Sequence, residues 1–242
     1  MTHPGLKLAA RYSFRPFSLG FCGPQENQAK KVVTHYLLGE KNIEGQVRKI
    51  FRQFVGAYPY YQLIALKNKI RDPLDKRVVE AYWLGNELLD RVTRKDIGQM
   101  ILRAFVFTGW MDLARAKRII ENLPAGVSPH HSFHVLFLGS VTDTVAIKGK
   151  TIDLCRIACG QVKKASDNRM TVEYKPLAKE PKTRLAGKIK KEIYYEPNFG
   201  IKAKIGDWVS FHWNFVCDKL NPKQVKNLEK YTLRNLKQYA QK

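Results

Sequence analysis

Apolar positions in the first half of the chain recur every three to four residues, the spacing of one helix face. Ile43, Val47, Ile50, Phe51, Phe54 and Val55 form such a stripe and predict a helix over residues 42–56. Residues 26–39 predict another, closed by Gly39 as a C-cap. A short helix follows from about Pro59 to Ile70. Asp72-Pro73 then offers an N-cap and a proline at the first helical position, and Leu74, Val78, Tyr82, Leu88 and Leu89 carry an apolar face on to Arg91. Thr93 with Asp96 reads as a capping box opening a helix over 94–106, and one more helix spans 110–122, ahead of Pro124. Residues 132–139 (SFHVLFLG) suit a strand or a buried helix equally.

Past residue 150 the apolar period shortens to two. TIDLCRIACGQVKKA and RMTVEYKPL alternate on either side of a Ser166-Asp167-Asn168 turn, and KEIYYEP and DWVSFHWNFV continue as strands. The stretch 179–191 holds six Lys/Arg, with Leu185 and Ile189 as its large apolar residues, and reads as a projecting, mobile hairpin. Residues 220–239 predict a final helix, capped by Asn221, with Pro222 at its first position and Val225, Leu228, Leu233 and Leu236 on its core side. The expected fold is therefore α+β. A mainly helical domain over residues 1–145 precedes a small OB-like β-barrel with a C-terminal helix over residues 150–242.

Composition adds a bias in charge to this frame. The 242 residues are 44% hydrophobic and 26% charged, a globular mixture that excludes disordered and collagen-like chains. No run approaches the ~18 apolar residues of a membrane span, and no secretory apolar core is recognisable near the N-terminus, so a cytoplasmic protein is expected. Lys and Arg number 43 against 21 Asp and Glu, a net +22. That excess favours anionic partners without choosing among them. Walker, dinucleotide, nucleophile-elbow and recognition-helix motifs are absent, so a binding or accessory protein is expected ahead of an enzyme, the enzyme reading resting on His130, His131, His134 and a cysteine. One consistent alternative is a basic OB-like single-stranded nucleic-acid binder, its binding unspecific, with Tyr174, Tyr194, Tyr195, Trp208 and Trp213 for stacking.

Candidate ligating residues are few. Cys22, Cys155, Cys159 and Cys217 are too sparse for a disulfide framework, and each reads by default as a buried thiol. His130 and His134 stand four apart, on one face of any helix there, with His131 between them; the three suit buried structural histidines or a metal or partner contact.

Two stretches carry a resemblance. Cys155-Arg-Ile-Ala-Cys159-Gly160-Gln-Val162 resembles the opening of the HypC/HupF chaperones of [NiFe]-hydrogenase maturation, and Ile205-Gly206-Asp207-Trp208-Val209-Ser210-Phe211-His212, with Phe215, resembles a later run of that family. The resemblance implies that Cys155 binds a transient iron centre, that His212 assists, and that a hydrogenase large-subunit precursor or another maturation protein is the partner. Thiolate and imidazole suit such an iron, and Arg156 is expected to lower the thiol pKa. Cys155 and His212 are thus the primary metal candidates, with Cys159, Cys217, His130 and His134 behind them. In an OB-like barrel the first strand and the strand ending at His212 lie side by side, which would place both side chains at one end. Over the whole chain, segments such as LGFCGP, PHHSFHVLF and GDWVSFHWNFVCDKL resemble an uncharacterised bacterial and archaeal family loosely associated with hydrogenase genes.

Overall fold

Residues 3–178 and 183–240 are described by the computed structural model. They begin with α1 (Pro4–Ser18), ahead of the first helix expected from the sequence. His3 caps it by accepting from the Leu6 amide at 3.1 Å, and Pro4 takes the first position. Leu6, Ala9, Ala10, Ser13 and Phe17 are buried along one broad face at helical spacing.

Helices α2 (Asn27–Leu37) and α4 (Tyr58–Lys67) fall close to their expected spans, whereas α3 (Glu44–Phe51) stops short of the expected 42–56, leaving Phe54 and Val55 in the following turn. α5 (Lys76–Trp83) is shorter than its apolar stripe. Gly85 breaks it with φ of +86°, and Glu87–Arg91 form a separate 3-10 turn. A Cβ at Gly85 would lie 2.2 Å from the Tyr231 ring, so this position combines a left-handed backbone with a close approach. The Thr93/Asp96 capping box opens α6 (Arg94–Ile101), which widens into a π turn over Leu102–Val106. After α7 (Leu113–Glu121) comes α8 (His131–Phe133), extended by a second π turn, His134–Leu138, so the ambiguous 132–139 run is helical. The strand-like reading of TIDLC is corrected: Thr151–Cys155 form a short helix, α9. Its Asp153 accepts from Tyr174 Oη and the Leu177 amide and pairs with Arg156 at 2.8 Å, which holds the turn against the following strands.

Those strands are β1 (Ala158–Ala165), β2 (Arg169–Tyr174), β3 (Leu177–Ala178), β4 (Arg184–Leu185), β5 (Ile189–Tyr194), β6 (Trp208–His212) and β7 (Phe215–Leu220). Five of them close into a barrel in the order β1-β2-β5-β7-β6, with β6 returning to pair with β1. The pairings are antiparallel except β5 with β7, joined in parallel at Tyr194 and Phe215. Val162, Met170, Val172, Ile193, Val209, Phe211 and Val216 fill the interior. β3 and β4 form a separate two-stranded ribbon. The basic stretch expected as a hairpin divides accordingly. Residues 179–182 lie outside the described residues, Leu185 packs against the main core, and Ile189–Lys191 belong to barrel strand β5. α10 (Pro222–Tyr239) follows its expected span, with an Asn221/Gln224 capping box, but Leu233, expected on the core side, is exposed, and Tyr231 and Thr232 are buried with Leu228 and Leu236.

β6 and β7 are buried on both faces. Val209, Phe211 and Val216 point into the barrel, while Phe215 and Cys217 belong to the larger core shared with the helices. α1 crosses this outer face: Tyr12 Oη lies 2.7 Å from Ser210 Oγ, and Arg11 pairs with Asp218 at 3.1 Å. Among the described residues no helix is long and apolar enough to cross a membrane.

Candidate metal centre

Three short segments meet where the barrel abuts the helices. His212 ends β6 and enters a two-residue hairpin loop, Trp213-Asn214, with φ of +50° and +58°. Positive φ at both central positions matches the twist of a tight hairpin, but it strains a residue as bulky as Trp. Two backbone bonds fix the loop: Trp213 N–H donates to Leu154 C=O at 2.8 Å, and Tyr194 N–H donates to Asn214 C=O at 2.7 Å. Cys155 is the last residue of α9. His131 is the first of α8, behind His130, whose Nδ1 caps the turn by accepting from the Ser132 amide. Asn235 of α10 pins the same loop through Ser128 and Ser132.

One ring nitrogen each from His131 and His212 and the Cys155 sulfur lie within 4.8 Å of one another. The expected pair, Cys155 and His212, is therefore brought together, although Cys155 arrives from a helical turn and not from the first strand. They line a cavity of about 70 Å³ with Cys22, His134 and Trp213.

His212 is the best-defined candidate ligand. Its Nδ1 lies 2.7 Å from the Tyr12 carbonyl, which can only accept, so Nδ1 carries the proton. Nε2 is buried and makes no well-formed hydrogen bond, with the Cys155 carbonyl as its nearby polar neighbour. Burial pushes the imidazole down to about 4, so it is neutral at pH 7. A ring nitrogen held by a backbone carbonyl, with the other free, is how proteins orient metal-binding histidines.

His131 is held less tightly in one form. Its Nε2 lies 2.8 Å from the Cys155 carbonyl and its Nδ1 3.0 Å from Tyr82 Oη, while the Tyr82 hydroxyl donates to Gly56 C=O at 2.5 Å. With the proton on Nε2, the ring donates to Cys155. The Cys155 carbonyl can only accept, so Nε2 carries the proton here; ligation through Nε2 would require the ring to leave that carbonyl and move its proton to Nδ1, where Tyr82 Oη can accept. Burial, reinforced by His212 and His134, holds this imidazole well below its ordinary range.

For Cys155 the expectation of a lowered pKa is corrected. Burial pushes the thiol up to about 12, and the Trp213 indole N–H opposes it. Arg156 does not serve the thiol: its guanidinium is turned to Asp153 and to the Lys175 carbonyl. A metal would have to displace the thiol proton on binding. Two neutral imidazoles and one thiolate suit borderline divalent ions such as iron(II) or zinc. Bond lengths of ~2.0–2.3 Å imply that the side chains close in by roughly an ångström around an ion. The donor set fits, with His212 already poised and the other two able to follow.

The remaining sequence candidates lie elsewhere. His130 bridges Ser132 Oγ at 2.8 Å and Trp83 C=O at 3.1 Å, and burial pushes it down to about 3. His134 lines the cavity, but its Nδ1 lies 3.2 Å from Tyr60 Oη. Cys159 lines a cleft under α10 with Trp208 and Val225, and burial pushes it up to about 11. Cys217 is buried beneath α1 and donates to Phe215 C=O at 3.4 Å. His131 is the residue that sequence reasoning left out of the ligand set. The i,i+4 spacing selects its two neighbours, whereas here His130 is a cap and a π turn starts at His134. Of the residues expected to stack on bases, Tyr174 packs edge-on to Phe211 at 5.2 Å, Trp213 lines the cavity, and Tyr195 donates to Ile201 C=O. Tyr194 is exposed, with the Arg15 and Arg169 guanidiniums over its ring at 5.6 and 5.4 Å.

The fold and this cluster define an α+β protein with a buried His–Cys–His group at the mouth of a small barrel. The chain belongs to the family described as "Family of unknown function (DUF6390)", whose model matches residues 1–242. Neither a curated protein nor a solved structure matches the chain.

Proposed function

We propose that this protein is a metal-handling accessory protein. It holds a transition-metal ion at Cys155, His212 and His131 and serves the assembly of a metallocentre on a partner. Iron and a [NiFe]-hydrogenase-type partner are the identities favoured by the HypC-like motifs around Cys155 and His212. The strand order, with one parallel pairing closing the barrel, supports reading it as OB-like. The observation that carries the proposal is the convergence of one ring nitrogen each from His131 and His212 and the Cys155 sulfur within 4.8 Å, with His212 Nε2 buried and without a well-formed hydrogen bond. An orphaned acceptor in an apolar interior costs stability unless something binds it.

Anaerobic titration of the metal-free chain with cobalt(II) or iron(II) is the test. One ion per chain is expected, with a sulfur-to-cobalt charge-transfer band in the near ultraviolet. Cys155→Ala should abolish that band, and His212→Ala should lower affinity at least tenfold, the scale for losing a ligand or its support. Cys217→Ala should leave both unchanged. Failure of the wild-type chain to take up one ion, or an unchanged band in Cys155→Ala, would overturn the proposal.

A further inference from the structure

Helix α4 is apolar on two sides. Tyr60, Tyr61, Ile64 and Ala65 face the core, while Leu66, on the outer side, is 72% exposed. A helix that is apolar all round is normally covered all round. Its outer side forms one wall of a groove of about 1260 Å³. The opposite wall is the π turn after α6, followed by Trp110, which is 45% exposed. π turns in otherwise regular helices often mark functional surfaces. Phe107, on the same turn, is 77% exposed, so the apolar surface continues past the groove.

Charge along the groove is one-sided. Arg52, Lys67, Lys69 and Arg103 line it, against Glu26 and Asp96. Asp96 is already held by Lys67 at 3.1 Å and by its own capping box with Thr93. Among the described residues, Arg52, Lys69 and Arg103 have no ion-pair partner. The groove also reaches the cavity described above, because Gly23 and Thr142 line both.

We propose that this groove docks an acidic amphipathic segment of a partner protein. Its apolar side chains lie on Leu66 and Trp110, and its carboxylates face Arg52, Lys69 and Arg103. Apolar anchors flanked by charge are how a groove recognises one face of a helix. An open, elongated groove of this size suits a polypeptide better than a compact small molecule. The occupant's end would lie beside Gly23 and Thr142, next to the His131–Cys155–His212 cavity. Docking itself does not depend on a metal being there.

The test is a fluorescence-anisotropy titration of the metal-free full chain with a labelled 18-residue peptide. The peptide carries Leu and Phe at i, i+3, i+4 and i+7 and Glu elsewhere. Saturable binding is expected, weakened at least tenfold by Leu66→Glu and by Arg103→Glu, and unchanged by Leu233→Glu on α10. All three substitutions are at exposed or half-buried positions, and circular dichroism checks that each variant is folded. Equal binding of a scrambled peptide, or of one with Lys for Glu, would overturn the proposal. So would indifference to Leu66→Glu and Arg103→Glu. Displacement of the peptide by a single-stranded oligonucleotide whose own binding is lost in Leu66→Glu would reassign the groove to nucleic acid. Metal uptake is measured separately, so peptide docking and ion binding stand or fall independently.

Discussion

At the scale of single residues, burial keeps His131, Cys155 and His212 neutral. His212 is neutral because it is buried, and its proton is placed on Nδ1 by one carbonyl. Cys155 is neutral for the same reason, in spite of the +22 charge of the chain. Long-range positive charge loses here to local desolvation, since a buried charge costs more than distant, screened cations return. The kinetic consequence follows from the thiolate being the nucleophile. In the metal-free native chain at pH 7.5, Cys155 should alkylate more than about a hundredfold more slowly than an exposed thiol with its ordinary pKa. Unfolding in guanidinium should restore the ordinary rate. Peptide-resolved mass spectrometry of iodoacetamide adducts reads both rates, and fast labelling in the native state would show an open, activated thiol instead.

Among the elements, those that bring the cluster together are the ones least visible in the sequence. Regular helices with one wet face, α2, α3 and α10, are legible from spacing and caps, as is the change to strands after residue 150. α1 is less legible, because its buried face includes small and polar residues such as Ala9, Ala10 and Ser13, a proline, Pro16, lies inside it, and its cap is a histidine. α9 is not, because five residues make barely one turn and TIDLC contains two β-branched residues that also suit a strand. The pairing of Cys155 with His212 is legible through the motif; His131 is not, since whether a histidine caps a turn or faces a cavity depends on a loop fixed from elsewhere. That fixing is done by Asn235, which is fully buried and satisfies the Ser128 amide and carbonyl. Asn235→Ala should cost on the order of 2–4 kcal/mol by stranding those groups, measured by denaturant unfolding. It should also loosen the His131 loop and weaken metal uptake. A change below ~0.5 kcal/mol would mean the loop is held by other contacts.

Taken as a whole, the molecule has two cores, one inside the barrel and one in which the helices share the outer faces of β6 and β7. Residues 150–242 produced alone should therefore be poorly soluble or only loosely packed, because Phe215, Cys217 and His212 lose the cover of α1. Binding of a hydrophobic dye and collapsed amide dispersion by NMR would report this; a well-dispersed, dye-silent fragment would show that the barrel is self-sufficient. The bond between His212 and the Tyr12 carbonyl spans 200 positions of the chain. A contact of such separation forms only once a very long loop has closed, among the slow events of folding. The proton on His212 thus finds its place only after the two ends of the described chain have met. Partly folded intermediates, with that imidazole free to take either tautomer, would hold an ion weakly and release it. Under the proposed function, possession of the ion would then certify completed folding, and an ion-loaded fraction of freshly made protein should be enriched in native molecules.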